Sequence, residues 1–430
     1  MNDGRTFPAA RTVTTRNGDV IHRNSAGQVT QVRTNNGTVV YHPPNAPRRI
    51  EVVRPGGQVV VARAPGHGYV QRQVVVQNTT IIRRTYVYGG VPHARLYRPV
   101  VYGGVTLAVY TPVHYYRPGF YYYAYNPWAR PVYYSWGWGA RPWYGYYGGY
   151  FSPYPYYASP ALWLTDYLIA ATLESAYEER MAARVAPVSY NYDGGQQSAL
   201  TPDVKQAISE EVRRQIDQER MDGQNAGSVA DRPAFADNAS HVFVVHDTLA
   251  VNSNAGECTI GEGDVLQTNG APPSNATSAD AMVLASRGPD CRKGSIVSVS
   301  LQDLQEMSNQ MRDTIDRGMS ELQAKQGQSG LPALPPNTAG TIDSAYAKEA
   351  RPDSDAGQEV NGASREADQV ERDAVSQSPP TLSLGLTVDE VMAIQGRPDK
   401  IVDLGAKKTY LYRDVKITFT DGRVSDIVVQ

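Results

Sequence analysis

YYSWGWGARPWYGYYGGYFSPYPYY, residues 133–157, is the stretch on which the reading of this chain turns. It holds nine tyrosines and three tryptophans, and neither an acid nor a lysine. Such a segment suits a membrane surface, a sugar-binding groove, a nucleic-acid platform or self-association. Its right flank narrows the choice. Residues 159–185 read as an amphipathic helix, with Ser159 as cap and Pro160 in the first turn. Ala161, Leu164, Leu168, Ala171 and Ser175 form a stripe spaced by threes and fours. That helix either lies in a membrane interface or covers the aromatic segment before it. Interfacial helices usually carry more lysine and arginine, which favours the second reading. An aromatic block running straight into a capped apolar helix is expected to be an ordered or assembling layer.

The left flank is basic. Residues 1–165 contain 17 arginines, no lysine and only three acids, Asp3, Asp19 and Glu51, a net charge of +14. The whole 430-residue chain is at −2, so residues 166–430 carry −16. The basic part could face an anionic partner or the protein's own acidic half. No run approaches the roughly 18 apolar residues of a membrane span, so no transmembrane span is expected. MNDGRTFPAARTV lacks an apolar signal core. The two cysteines, Cys258 and Cys291, lie 33 apart in one short segment and are expected to form a disulfide in an oxidising compartment.

The chain reads as α+β and multi-modular. Residues 1–63 are β-hairpin repeats, broken by the turns RNGD, SAGQ, NNGT and PGGQ. They resemble a degenerate form of the tyrosine–aspartate wall repeats of bacterial secreted proteins, without the usual Tyr-Asp pair; a plain β-meander fits equally. Residues 64–158 are the Arg/Tyr/Gly/Pro-rich region, holding 20 of the 29 tyrosines between Tyr86 and Tyr157. VYGGV recurs at 87–91 and 101–105. β-Branched runs before residue 111 read as strands, whereas the prolines and glycines beyond it argue against both helix and long strand. Residues 159–222 give two amphipathic helices, the second carrying Val204, Ile208, Val212 and Ile216 on one face. Residues 236–327 form a small barrel-like β-domain with a C-terminal helix, whose stripe runs Leu301, Leu304, Met307, Met311, Ile315, Met319, Leu322. Residues 328–380 read as a disordered linker, having almost no large apolar residues.

Residues 381–430 begin with Thr387 and Glu390 as a capping box. The helix is followed by TYLYR, VKITFT and RVSDIVV, expected as a three-stranded antiparallel sheet. The stretches GLTVDEVMAIQGRP and VKITFTDGRVSDI make this module similar to the SmpA/OmlA (BamE-like) fold of bacterial envelope proteins. The resemblance covers about a tenth of the chain. It implies an extracytoplasmic setting and contacts with other envelope proteins, and no catalysis. The lipobox cysteine of that family is absent. The whole chain also resembles secreted bacterial proteins with YxWGxW-type segments, which Tyr134-Ser135-Trp136-Gly137-Trp138 approaches without completing.

Motifs for chemistry are missing: there is no phosphate loop, HExxH, GxSxG or CxxC. The histidines are scattered, and His241 and His246 fall on opposite faces of a strand. Glu262 and Asp264 in GEGD could pair or hold a cation, but suit a turn better. No catalytic residue, metal or cofactor is therefore expected. The candidate polymer-binding or self-association residues are Trp128, Tyr134, Trp136, Trp138, Trp143, Tyr144, Tyr146 and Tyr147, with Arg117, Arg130 and Arg141. Trp136 and Trp143 are the pair whose loss should end binding with the fold intact. The expected protein is a non-enzymatic, exported envelope or extracellular structural or interaction protein, in the periplasm, at the outer membrane surface or outside the cell. Its partner is itself or a cell-surface polymer. The alternative is a glycan- or peptidoglycan-binding protein. Nucleic acid is not expected, since lysine would normally contribute.

Overall fold

The computed structural model describes residues 11–15, 17–24, 28–43, 46–185, 200–224, 233–288, 290–377, 384–413 and 415–429. The expected N-terminal start, the SAGQ turn and the end of the linker lie outside the described residues or only partly within them. Among the described residues the protein is α+β, with seven α-helices and antiparallel sheets. It divides into a smaller unit (residues 1–42, 50–52 and 365–430) and a larger one (43–49 and 53–364). Elements are numbered along the chain.

In the smaller unit β1 (Arg11–Thr14), β2 (Val20–Arg23), β3 (Val29–Arg33) and β4 (Thr38–Tyr41) pair consecutively. Ile21 faces Val32 and Val32 faces Val40, so one buried apolar row crosses three strands. The centre of β5 (Arg49–Val53) belongs here too.

The C-terminal module of the same unit has α7 (Val388–Gln395), capped by the reciprocal Thr387–Glu390 box. Four strands follow, not three: β19 (Lys400–Leu404), β20 (Lys407–Leu411), β21 (Val415–Thr420) and β22 (Arg423–Val429). The unforeseen β19 exists because Gly405, at φ 80°, turns KIVDL back onto KKTYL. Asp421 and Gly422 both take positive φ, which is the tight hairpin the Asp-Gly pair demands. Val391, Tyr410, Ile417, Phe419 and Val424 fill the core.

The larger unit begins with a meander: β6 (Val59–Ala64), β7 (His67–Val76), β8 (Thr79–Tyr88), β9 (Val91–Tyr102) and β10 (Val105–Thr111). The repeated VYGGV is explained here. Gly89-Gly90 and Gly103-Gly104 are the two-residue turns of successive hairpins, all with positive φ. Register aligns Ile82 with Tyr97 and Tyr97 with Tyr110 across one buried face.

The chain then passes through β11 (His114–Tyr116) and two short helices, α1 (Pro118–Tyr125) and α2 (Pro142–Tyr147). Helix was not expected after residue 111. It forms because both prolines stand at the first helical position, where no N–H is needed. α3 (Pro160–Ala182) and α4 (Pro202–Gln224) follow. α3 is buried on most of its surface, among the aromatic residues before it, so it covers that segment. No described helix is long and apolar enough to cross a membrane.

Next come six short strands: β12 (Ser240–Val244), β13 (Leu249–Ser253), β14 (Gly256–Ile260), β15 (Val265–Asn269), β16 (Ser278–Ala285) and β17 (Ile296–Ser300). They form one sheet in the order β12-β15-β16-β17-β13-β14. Cys258 on β14 is bonded to Cys291 beyond β16, with Cα atoms 5.4 Å apart. α5 (Leu301–Lys325), capped by Ser300, buries its whole expected stripe, methionines included.

The expected linker is largely built. β18 (Thr341–Asp343) pairs with β11, and α6 (Ala356–Gln377) starts in the larger unit and ends in the smaller. Ala356, Val360 and Ala363 are fully buried. A count of large apolar residues misses such a stripe, because alanines pack by closeness. A Cβ on Gly68 would stand 3.0 Å from Val360 Cγ1. Asp353 also ties this segment to the sheet, accepting from Thr85 Oγ1 at 3.0 Å and pairing with Arg72 at 3.0 Å and Arg83 at 2.5 Å.

One buried ion pair anchors the aromatic segment. Asp166 on α3 is wholly buried and meets Lys205 of α4 at 2.6 Å. Its other oxygen accepts from Tyr157 Oη at 2.7 Å and the Tyr154 amide at 2.6 Å. Burial raises the pKa of Asp166 and lowers that of Lys205, each against the pull of the other.

Two stability predictions follow from these anchors. Asp166→Asn strands a buried ammonium and is expected to cost about 3–5 kcal/mol. Adding Lys205→Met should recover part of that loss in calorimetry. A cost below about 1 kcal/mol, the range of an exposed pair, would contradict the buried role. Reducing the disulfide, which closes a separation of 33 residues, should lower stability by about 3–4 kcal/mol. An unchanged denaturant midpoint after reduction would refute it.

Candidate aromatic cleft

The tyrosine- and tryptophan-rich stretch folds into a core. Trp128, Tyr134, Trp143 and Tyr147 are at most 9% exposed, so all four lie mainly in the core. Trp136, Trp138, Tyr144 and Tyr146 are half-buried against the same core. Arg117, Arg130 and Arg141 are exposed.

The rings stack in series. Trp138 lies on Trp136 at 4.3 Å between centroids, Trp136 on Trp163 at 4.6 Å, and Trp163 on Tyr167 at 5.6 Å. Tyr134 meets Trp136 and Trp163 edge-on. Trp136 Nε1 donates to Tyr157 Oη at 2.6 Å, and that hydroxyl donates to Asp166. Both faces of Trp136 are therefore covered. Removing Trp136 or Trp143 would open the core as well as alter any surface, which corrects the expectation that the fold would stay intact.

Trp138 ends this stack, packs also against Trp143, Tyr144 and Phe151, and borders with its remaining surface a cleft of about 660 Å³. Several parts of the larger unit enclose the cleft, among them His246 after β12. β8 and β9 contribute Tyr86, Tyr88, His93, Arg95 and Tyr97. The aromatic loop contributes Tyr134, Trp136 and Trp138. α3 contributes Tyr167, Glu174, Ser175 and Glu178, and α5 contributes Asp313, Arg317, Glu321 and Lys325. α3 and α5 approach closely because Gly318 has no side chain: a Cβ there would lie 2.7 Å from Leu164 Cδ2 and 2.9 Å from Tyr167 Cδ1.

Tyr88 and His93 stack at 5.4 Å and form a second aromatic surface on the strand side. Burial, helped by the nearby Arg95 charge, lowers the His93 pKa to about 4, so near neutral pH it is an uncharged ring. Arg95 is paired with Asp313, which also holds Arg317 at 3.3 Å. Lys325 pairs with Glu321 at 2.6 Å. Glu174 and Glu178 stand one turn apart on α3. Burial first, and then the Glu178 charge, raise the pKa of Glu174.

α5 is fixed to the meander by a side-chain amide. Asn309 accepts from the Tyr110 amide at 3.0 Å and donates to the Ala108 carbonyl at 2.7 Å. It pairs with β10 as a neighbouring strand would, and so holds Asp313 and Arg317 in register with Arg95.

The other groups considered from sequence have structural partners. Glu262 meets Arg180 at 2.8 Å and Arg287 at 3.5 Å. Asp264 accepts from the Gly261 and Arg287 amides and from Ser286 Oγ. His241 bonds Asp237 and Glu211, while His246 faces Asp247. Among the described residues no group of three His, Cys, Asp or Glu could hold a metal ion.

The cleft joins segments scattered between Tyr86 and Lys325, which is why sequence reasoning named only Tyr134, Trp136 and Trp138 of its lining. Tyr88 alone carried a usable signal: it precedes the first VYGGV glycine pair, and a residue flanking a two-residue turn must sit at the end of a strand. With this geometry in view, no protein-family profile matches the chain, no characterised protein matches it and no solved structure matches it.

Proposed function

We propose that this chain is a non-enzymatic, extracytoplasmic bacterial protein that binds a segment of a cell-surface polysaccharide in the aromatic cleft. The observation that carries the reading is the cleft's lining. Trp138 and Tyr88 offer ring surface, and polar side chains already oriented by ion pairs surround them. Sugar rings need both: an apolar face stacks on an aromatic ring, and hydroxyls need oriented donors and acceptors. The Cys258–Cys291 bond supports an oxidising compartment.

The likeness of residues 381–430 to the SmpA/OmlA (BamE-like) fold supports an envelope setting and further protein contacts. Ile401 and Leu404, 52% and 70% exposed, suit that role. Self-association is a second reading, favoured by one observation. Tyr133 and Tyr156 contact each other at 6.2 Å while remaining 63% and 61% exposed.

Purified full-length chain is expected to sediment with insoluble peptidoglycan or polysaccharide. Tyr88→Ala and Trp138→Ala should each weaken binding about tenfold, the effect of losing roughly one aromatic contact. Thermal unfolding of each variant reports whether the fold persists. Failure of the wild-type chain to bind any such polymer, or full binding by both variants, would overturn the proposal.

A further inference from the structure

We propose that Tyr133 and Tyr156 are an oxidative modification site, at which their two rings couple into a dityrosine link. This site is independent of the polysaccharide reading above.

Only three tyrosines are exposed among the described residues: Tyr122, Tyr133 and Tyr156. Two of them touch. The rings of Tyr133 and Tyr156 lie 6.2 Å apart between centroids and 64° from parallel. Tyr122 has no ring contact among the described residues.

The backbone sets this pair. Val132 and Tyr157 form an isolated antiparallel bridge, each amide donating to the other's carbonyl at 2.9 Å. Both side chains are buried. The next residues along, Tyr133 and Tyr156, therefore point to the outer face. They also occupy the non-hydrogen-bonded position of the ladder, where facing side chains come closest. The bridge is anchored on both sides. The Tyr157 hydroxyl donates to Asp166 and accepts from Trp136, and the Trp128 amide donates to the Ala158 carbonyl at 2.9 Å. The backbone is thus fixed from within, whereas the exposed rings keep the freedom to turn their edges toward each other.

Coupling needs that approach of edges. The oxidant is hydrogen peroxide acting through a haem peroxidase. It takes one electron and one proton from each phenol. The two phenoxyl radicals then join by a carbon–carbon bond between positions ortho to their oxygens. The hydrogens on those two carbons move to the oxygens and restore both phenols. The pair loses two hydrogens in all, and the peroxide becomes two waters. The link closes the loop that brings Trp136 and Trp138 to the cleft, and ties its ends covalently as a disulfide would.

The test uses full-length chain at about 1 µM, where a tethered ring at an effective concentration of roughly 1 mM outcompetes rings on other molecules about a thousandfold. The chain is treated with peroxidase and peroxide, its disulfide is reduced, and it is digested with chymotrypsin. Mass spectrometry is expected to find peptides carrying residues 133 and 156 joined and lighter by two hydrogens. This link should exceed any link through Tyr122 at least about tenfold. Tyr133→Phe and Tyr156→Phe keep the ring and remove the phenol, so each should abolish the link with an unaltered melting curve. Absence of the link in the wild type, links mainly between chains, or equal yield through Tyr122 would each overturn the proposal.

Discussion

The aromatic segment depends on the carboxylate of Asp166. Asp166 is the first acid after Glu51, and Lys205 is the first lysine in the chain. The two meet at 2.6 Å inside the core. Through its other oxygen Asp166 holds Tyr157, and through Tyr157 it holds Trp136. The stack from Trp138 to Tyr167 is thereby fixed between α3 and the loop that precedes it. A buried ion pair is expensive to desolvate, and a purely apolar substitute could be as stable. What the pair adds is position: it admits one arrangement of loop, α3 and α4 in which every buried hydroxyl and amide of Tyr154 and Tyr157 near it is satisfied.

The same logic explains the choice of tyrosine over phenylalanine. Tyr110 and Tyr116 donate to Asp316, and Tyr121 donates to Glu219 at 2.6 Å. Tyr150, Tyr102 and Tyr123 donate to the carbonyls of Gly263, Pro272 and Pro332. A loop-rich region carries many backbone carbonyls with no ladder partner, and each costs free energy if buried unpaired. A ring that fills volume and ends in a hydroxyl solves both problems at once. The arginines act similarly toward the acidic half. The contrast of +14 and −16 along the sequence is met in part within the larger unit, where Arg63, Arg72, Arg83 and Arg84 of the sheet pair with acids of residues 247–355. The charge asymmetry therefore reports in part on folding.

These facts set how far the sequence could be read. Periodicity exposed α3, α4 and α5, since their stripes recur by threes and fours; those of α4 and α5 are buried as that spacing demands, whereas on α3 Ala171 and Ser175 are half-buried at the cleft. Asp421-Gly422 and the cysteine pair were legible for equally local reasons. α1 and α2 were hidden because proline was read as a breaker when it stood at the first helical position. α6 was hidden because its stripe is built of alanine. β19 was hidden because its apolar pair, Ile401 and Val402, is short and mostly exposed. The cleft was hidden for a different reason: no local pattern records that β8, β9, α3, α5 and the aromatic loop converge.

Convergence also decides which residues can act on a ligand. A ring already stacked on both faces has little left to give, which removes Trp136 and Trp163 from any recognition role. A charge already paired at short range has likewise spent most of its field on its partner. Applied across the cleft, these two conditions leave few groups: the part of Trp138 that borders it and the Tyr88–His93 pair. All of them lie on regular elements or on the loop clamped by Asp166. Such a site is pre-organised, so a ligand entering it orders few side chains and loses little affinity to that cost. The large investment of the sequence in tyrosine and tryptophan is therefore mainly architectural: it builds the rigid frame that keeps these rings at one cleft.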